Sequence, residues 1–111
     1  MIWSEEELLF PDKFTYCALD DESMAPQIPC GATVTIRNVD NSNPMTEIDP
    51  RQIYYIQINS LIKVIRYMIR IGNKVILLSN NKRLYPAEIY DLSETRISVL
   101  GTVCSWYCEV F

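Results

Sequence analysis

From Lys13 onward the chain is a succession of short β-branched and aromatic runs, each ended by turn residues. No stretch carries the 3.6-residue apolar period of a long helix. Phe14–Leu19 is the first run, and Ala32–Arg37 alternates with period two directly after Gly31. Gln52–Ile58 and Leu61–Arg70 are separated by Asn59-Ser60, a spacing that predicts a tight hairpin. Gly72-Asn73 makes the next turn and Lys74–Leu78 returns. After a Tyr85-Pro86 loop, Thr95–Trp106 supplies the last strand. Strands at this spacing predict a mostly β fold of curved, largely antiparallel sheets or a partial barrel.

The remaining segments read differently. Ser4 followed by Glu7 is a capping-box pattern that predicts a short helix over Glu5–Phe10, ended before Pro11. Residues 1–12 are thus expected to form an N-terminal arm or short helix, and residues 13–111 one β domain. The polar stretch Asn38–Pro50, with its Asn-Ser-Asn-Pro turn signal, predicts a mobile loop. A chain of 111 residues, 49% hydrophobic and 22% charged, has the composition of one folded, soluble domain.

Charge and composition exclude several classes. A net charge of −4 argues against a nucleic-acid footprint on this domain itself, and no basic cluster exceeds Lys82-Arg83. The acidic start of the chain lacks the pattern of a secretory signal. Leu61–Ile71, the most apolar run, is broken by Lys63, Arg66 and Arg70, so no membrane span is expected and the chain reads as cytoplasmic. Of Cys17, Cys30, Cys104 and Cys108, only the last two are close in sequence. On a strand they lie more than about 10 Å apart, so isolated buried thiols are expected, with no metal and no cofactor.

One loop carries candidate chemistry. Asp20-Asp21-Glu22-Ser23-Met24-Ala25-Pro26-Gln27-Ile28-Pro29-Cys30-Gly31 places a serine between acidic residues and a Met-x-Pro turn. The chain has no histidine, which rules out a Ser-His-Asp triad. A reactive Ser23 therefore needs a lysine amine, or a group outside the chain, as its base.

The Glu22-Ser23-Met24-x-Pro26-x-Ile28-Pro29-x-Gly31 stretch resembles the serine box of the LexA/UmuD/phage-repressor serine peptidases, which are related to signal peptidases. Arg70–Asn81 resembles the hairpin after that family's catalytic lysine, and Ile97–Val103 its closing strand. The resemblance runs from about Phe14 to the C-terminus. It implies a LexA-like fold, a serine–lysine dyad that cuts the protein's own linker, homodimerisation and a role in the SOS response. It also implies that DNA is bound only through a separate helix-turn-helix domain, for which there is no room before Ser23.

The dyad position departs from the family pattern. Counting back from Gly72-Asn73-Lys74-Val75 puts Arg66 at the catalytic lysine, whereas counting forward from Ile53-Tyr54-Tyr55 puts Ile65 there. Arginine stays protonated at accessible pH and cannot act as a general base. Lys63 is the nearest substitute. Strand alternation sets it on the face of Leu61, Ile65 and Tyr67, opposite Arg66, so reaching the Arg66 side requires a β-bulge. The glycine and aspartate before the family's serine are Asp21 and Glu22 here, and added negative charge disfavours an oxyanion. A charged Arg66 near Ser23 has another use, pairing with Asp21 or Glu22 to hold the loop.

Three readings follow. The first is the C-terminal dimerisation and regulatory domain of a phage-type repressor, with peptidase activity weakened or lost. The second is an active self-cleaving peptidase using Ser23 and Lys63. The third is a small β-barrel interaction module. The apolar and aromatic residues of Val99–Phe111 offer a homodimer surface or, equally, an ordinary core strand.

Overall fold

The computed structural model describes residues 4–39 and 48–108. Strand accounts for 48% of these residues and helix for 8%, so the fold is mostly β. The elements are α1 (Glu5–Leu9), β1 (Phe14–Ala18), β2 (Thr33–Asn38), β3 (Ile53–Ile58), β4 (Ile62–Ile71), β5 (Lys74–Leu78), β6 (Glu88–Asp91) and β7 (Ile97–Tyr107). They build one curved, open antiparallel sheet in the order β1-β2-β7-β3-β4-β5-β6.

Local chemistry explains the connections. Asn59 and Ser60 both adopt positive φ (52° and 62°), and Leu61 N–H donates to the Ile58 carbonyl. The register pairs Ile58 with Ile62, so the tight hairpin turns through residues 59–61, one more than the Asn59-Ser60 spacing predicts. The last strand, β7, enters between β2 and β3 and bulges against both, at Thr35/Ile36 and at Tyr55/Ile56. The crossing is tight at Gly101. A Cβ there would meet Ile36 Cγ2 and lie 2.5 Å from the Arg37 carbonyl oxygen, so only glycine fits.

The sheet buries apolar side chains on both faces. One cluster gathers Val34, Ile36, Ile53, Ile65 and Val103 under Leu19, Met24 and Ile28. The other gathers Tyr54, Ile56, Met68, Val75, Leu77 and Val99 on the opposite face. Period-two alternation within β3 and β4 assigns neighbouring residues to different clusters. Each fully buried Met or Ile contributes roughly 1.5–3 kcal/mol.

At one edge, Ser4 Oγ accepts from the Glu7 N–H at 3.1 Å and caps α1, which ends one residue earlier than the pattern predicts. Phe10 instead leads into a 3-10 turn at Pro11–Lys13. At the other edge, the short strand β6 was absent from the predicted set. Its four residues begin and end with a carboxylate, and four positions hold too little alternation to stand out. The expected buried thiols are a second difference: Cys17 is half-buried, while Cys30, Cys104 and Cys108 are exposed. Cys104 and Cys108 lie where β7 has run past β3, and Cys30 sits on the outer side of a turn. Of the predicted mobile loop, residues 40–47 lie outside the described residues, as do 109–111 of the C-terminal segment.

Candidate functional site

The loop between β1 and β2 is closed at its base by the backbone. Leu19 N–H donates to the Ala32 carbonyl at 2.9 Å and Gly31 N–H to the Leu19 carbonyl at 2.7 Å. Gly31 has φ +91°, a conformation that side chains resist. Met24 and Ile28, both fully buried, nail the loop into the first apolar cluster. Between them the Ile28 N–H donates to the Met24 carbonyl at 2.8 Å. The Met-x-Pro-x-Ile pattern is thus an anchoring pattern: its apolar residues fix where Ser23 sits.

Ser23 is buried, and both of its hydroxyl functions are engaged. Its Oγ donates to Asp21 Oδ1 at 2.5 Å and accepts from Arg66 Nη1 at 2.8 Å. Asp21 Oδ1 also accepts the Ser23 N–H at 3.0 Å, an Asx-type turn that ties the carboxylate to the loop. Arg66 Nη2 lies 3.9 Å from Asp21 Oδ2, completing a three-residue constellation. Arg66 is 6% exposed and its Nη1 also donates to the Ile65 carbonyl at 2.8 Å. A buried guanidinium needs such partners, because an unpaired charge in an apolar interior is costly.

A second segment clasps the loop from outside. Asn81 N–H donates to the Ser23 carbonyl at 2.8 Å, and Asn81 Nδ2 to the Glu22 carbonyl at 3.2 Å. Glu22 N–H donates to the Tyr85 hydroxyl at 3.3 Å, and the Tyr85 ring lies 5.7 Å from the Arg66 guanidinium. Sequence reasoning missed Asn81 and Tyr85 as site residues. The paired asparagines directly after β5 and the Tyr85-Pro86 dipeptide were the signals that mark them.

The structure brings Ser23 and Arg66 together and leaves Lys63 apart. The β3–β4 register runs without a shift from Ile53↔Tyr67 to Ile58↔Ile62, so no bulge moves Lys63 toward the Arg66 face. Lys63 lies exposed opposite Gln57, three residues and about 10 Å along the strand from Arg66. It makes no hydrogen bond to Ser23 or Arg66 among the described residues.

Chemically, the Ser23 hydroxyl donates to one charged group and accepts from another. Arg66 presents an N–H to the oxygen and has no lone pair to accept a proton. The group that accepts the Ser23 hydroxyl hydrogen bond is the Asp21 carboxylate. Among the described residues, no group of three metal-ligating side chains comes together. No described helix is long and apolar enough to cross a membrane.

A curved, mostly β sheet with a Ser-Met-x-Pro loop laid against a strand is the architecture of a LexA-like peptidase domain. The family model described as Peptidase S24-like matches residues 1–104, and the chain belongs to that family. A comparison with curated proteins returns no match.

Proposed function

We propose that this domain keeps the LexA-like fold as a regulatory and dimerisation module of a phage-type repressor, its peptidase activity weakened or lost. The observation that carries this reading is the Arg66 guanidinium on Ser23 Oγ, where the family pattern calls for a lysine that can lose its proton. Asp21 supports it from the other side, replacing a small glycine by a carboxylate that fixes the hydroxyl. In this reading the module works in the cytoplasm, and DNA contact belongs to a separate helix-turn-helix domain. Homodimerisation draws support from β7, where Cys104, Ser105 and Trp106 are exposed beyond the end of β3. The inner part of the same strand, with Val99, Gly101 and Val103 buried, serves the core.

Prolonged incubation of the intact protein at mildly alkaline pH, with and without a supplied linker peptide, tests the loss of activity. Mass spectrometry is expected to show the same fragment pattern for wild type and Ser23→Ala. Cleavage that disappears in Ser23→Ala overturns the reading and returns Ser23 to the role of nucleophile.

A further inference from the structure

Ser23 is fully buried although it lies on a loop. On one side, Met24 and Ile28 seal it against the first apolar cluster. On the other, it is closed by residues 80–87, which lead from β5 to β6. The bonds of that segment land around the hydroxyl. Asn81 donates from its N–H to the Ser23 carbonyl and from Nδ2 to the Glu22 carbonyl, and Asn80 Nδ2 donates to the Met24 carbonyl at 3.5 Å. The Tyr85 hydroxyl accepts the Glu22 N–H, and its ring lies over the guanidinium that touches Ser23 Oγ.

The two sides are fastened by different forces. The serine loop is held by buried Met24 and Ile28 and by the backbone bonds of Leu19, Gly31 and Ile28. Among residues 80–87 no side chain is buried, and Leu84, which could have anchored the segment, is 61% exposed. Its turn closes on itself, with the Tyr85 N–H on the Asn81 carbonyl at 3.0 Å, so it can move as a unit. It runs into β6, a four-residue edge strand paired with β5 alone. Segments tied by exposed polar bonds, with little apolar burial, open at lower free energy than the core around them.

We propose that residues 80–87 form a lid over Ser23, which opens as a local unit while the serine loop and the sheet stay folded. The side chain at position 23 meets solvent and reagents through the open form. The lid controls access whether or not Ser23 is reactive, so it stands apart from the loss of peptidase activity.

Iodoacetamide labelling of Ser23→Cys in the full chain, read residue by residue by mass spectrometry, tests the lid with and without Tyr85→Ala. Half-buried Cys17, packed against the first cluster, and exposed Cys104 serve as internal references. Tyr85→Ala removes the acceptor for Glu22 and the ring over Arg66, and is expected to speed labelling at position 23 about tenfold, with Cys17 and Cys104 unchanged. An unchanged rate at position 23 overturns the lid. Equal acceleration at Cys17 also overturns it, because the whole fold has then loosened. Hydrogen exchange on the unsubstituted chain gives a second reading that needs no variant. The Asn81 and Tyr85 amides are expected to exchange at least about tenfold faster than those of Leu19 and Ile28, all four being hydrogen-bonded. Exchange of the four at one common rate overturns the lid as a separate unit.

Discussion

At the scale of residues, Ser23 Oγ sits between a carboxylate and a guanidinium. Its hydroxyl donates to Asp21 and accepts from Arg66, so it is satisfied in both directions. Asp21 and Arg66 also form an ion pair, so the departure beside the serine and the one at the lysine position are complementary to each other. Arg66→Ala removes a buried guanidinium and leaves the Ile65 carbonyl and Ser23 Oγ each without a donor. Urea unfolding is expected to show a loss of about 2–3 kcal/mol. An Arg66→Ala protein as stable as wild type contradicts the structural role. From sequence, counting back from the Gly72-Asn73 turn pointed to Arg66 and counting forward from Ile53-Tyr54-Tyr55 to Ile65, while strand alternation set Lys63 on the face opposite Arg66. What the sequence did not disclose was the clasp. Asn81 and Tyr85 are 59 and 63 residues from Glu22, and no local periodicity records a contact at that separation.

At the scale of elements, the short helix shows how little holds a peripheral segment. α1 buries no side chain, so its position depends on the Glu6–Arg37 and Glu7–Tyr16 bonds. Burial first, and then the hydrogen bond to Glu7, push the Tyr16 phenol up to about 12. The Arg37 hydrogen bond holds the Glu6 carboxyl below its ordinary value, so that contribution is present above the usual Glu range and fades in acid. For Tyr16 the sign is opposite. A phenol raised in the folded state adds stability below about pH 10, its unfolded value, and loses it as pH rises toward about 12. Phenolate absorbance is expected to show Tyr16 titrating near 12, and Tyr16→Phe is expected to lose less stability than wild type over that interval. A Tyr16 that titrates at about 10, the ordinary value, contradicts the docked helix. The helix and six of the seven strands were legible from capping and period-two patterns. β6 was not, because its pairing with β5 is a tertiary gain, invisible in four residues.

At the scale of the whole molecule, strand order is the part that sequence patterning leaves open. Alternation says which side chains share a face, but not that β7 passes between β2 and β3 to divide the sheet's early strands from its hairpins. The resemblance to the LexA-like family implied a curved, mostly β fold but no strand order, and the family model matches residues 1–104. The serine loop spans the division. Its Met24 and Ile28 pack among Val34, Ile36 and Val103, while Ser23 is tied to Arg66 on β4 and to Asn81 beyond β5. A loop bonded to both halves is expected to matter to global stability, and that gives the central claim its most direct test. Equilibrium urea unfolding of Ser23→Ala against wild type separates a structural serine from a catalytic one. The account predicts that Ser23→Ala is less stable by about 1–3 kcal/mol, because Asp21 and Arg66 lose the oxygen between them. A Ser23→Ala protein as stable as wild type, or more stable, as removal of a strained nucleophile allows, would contradict it.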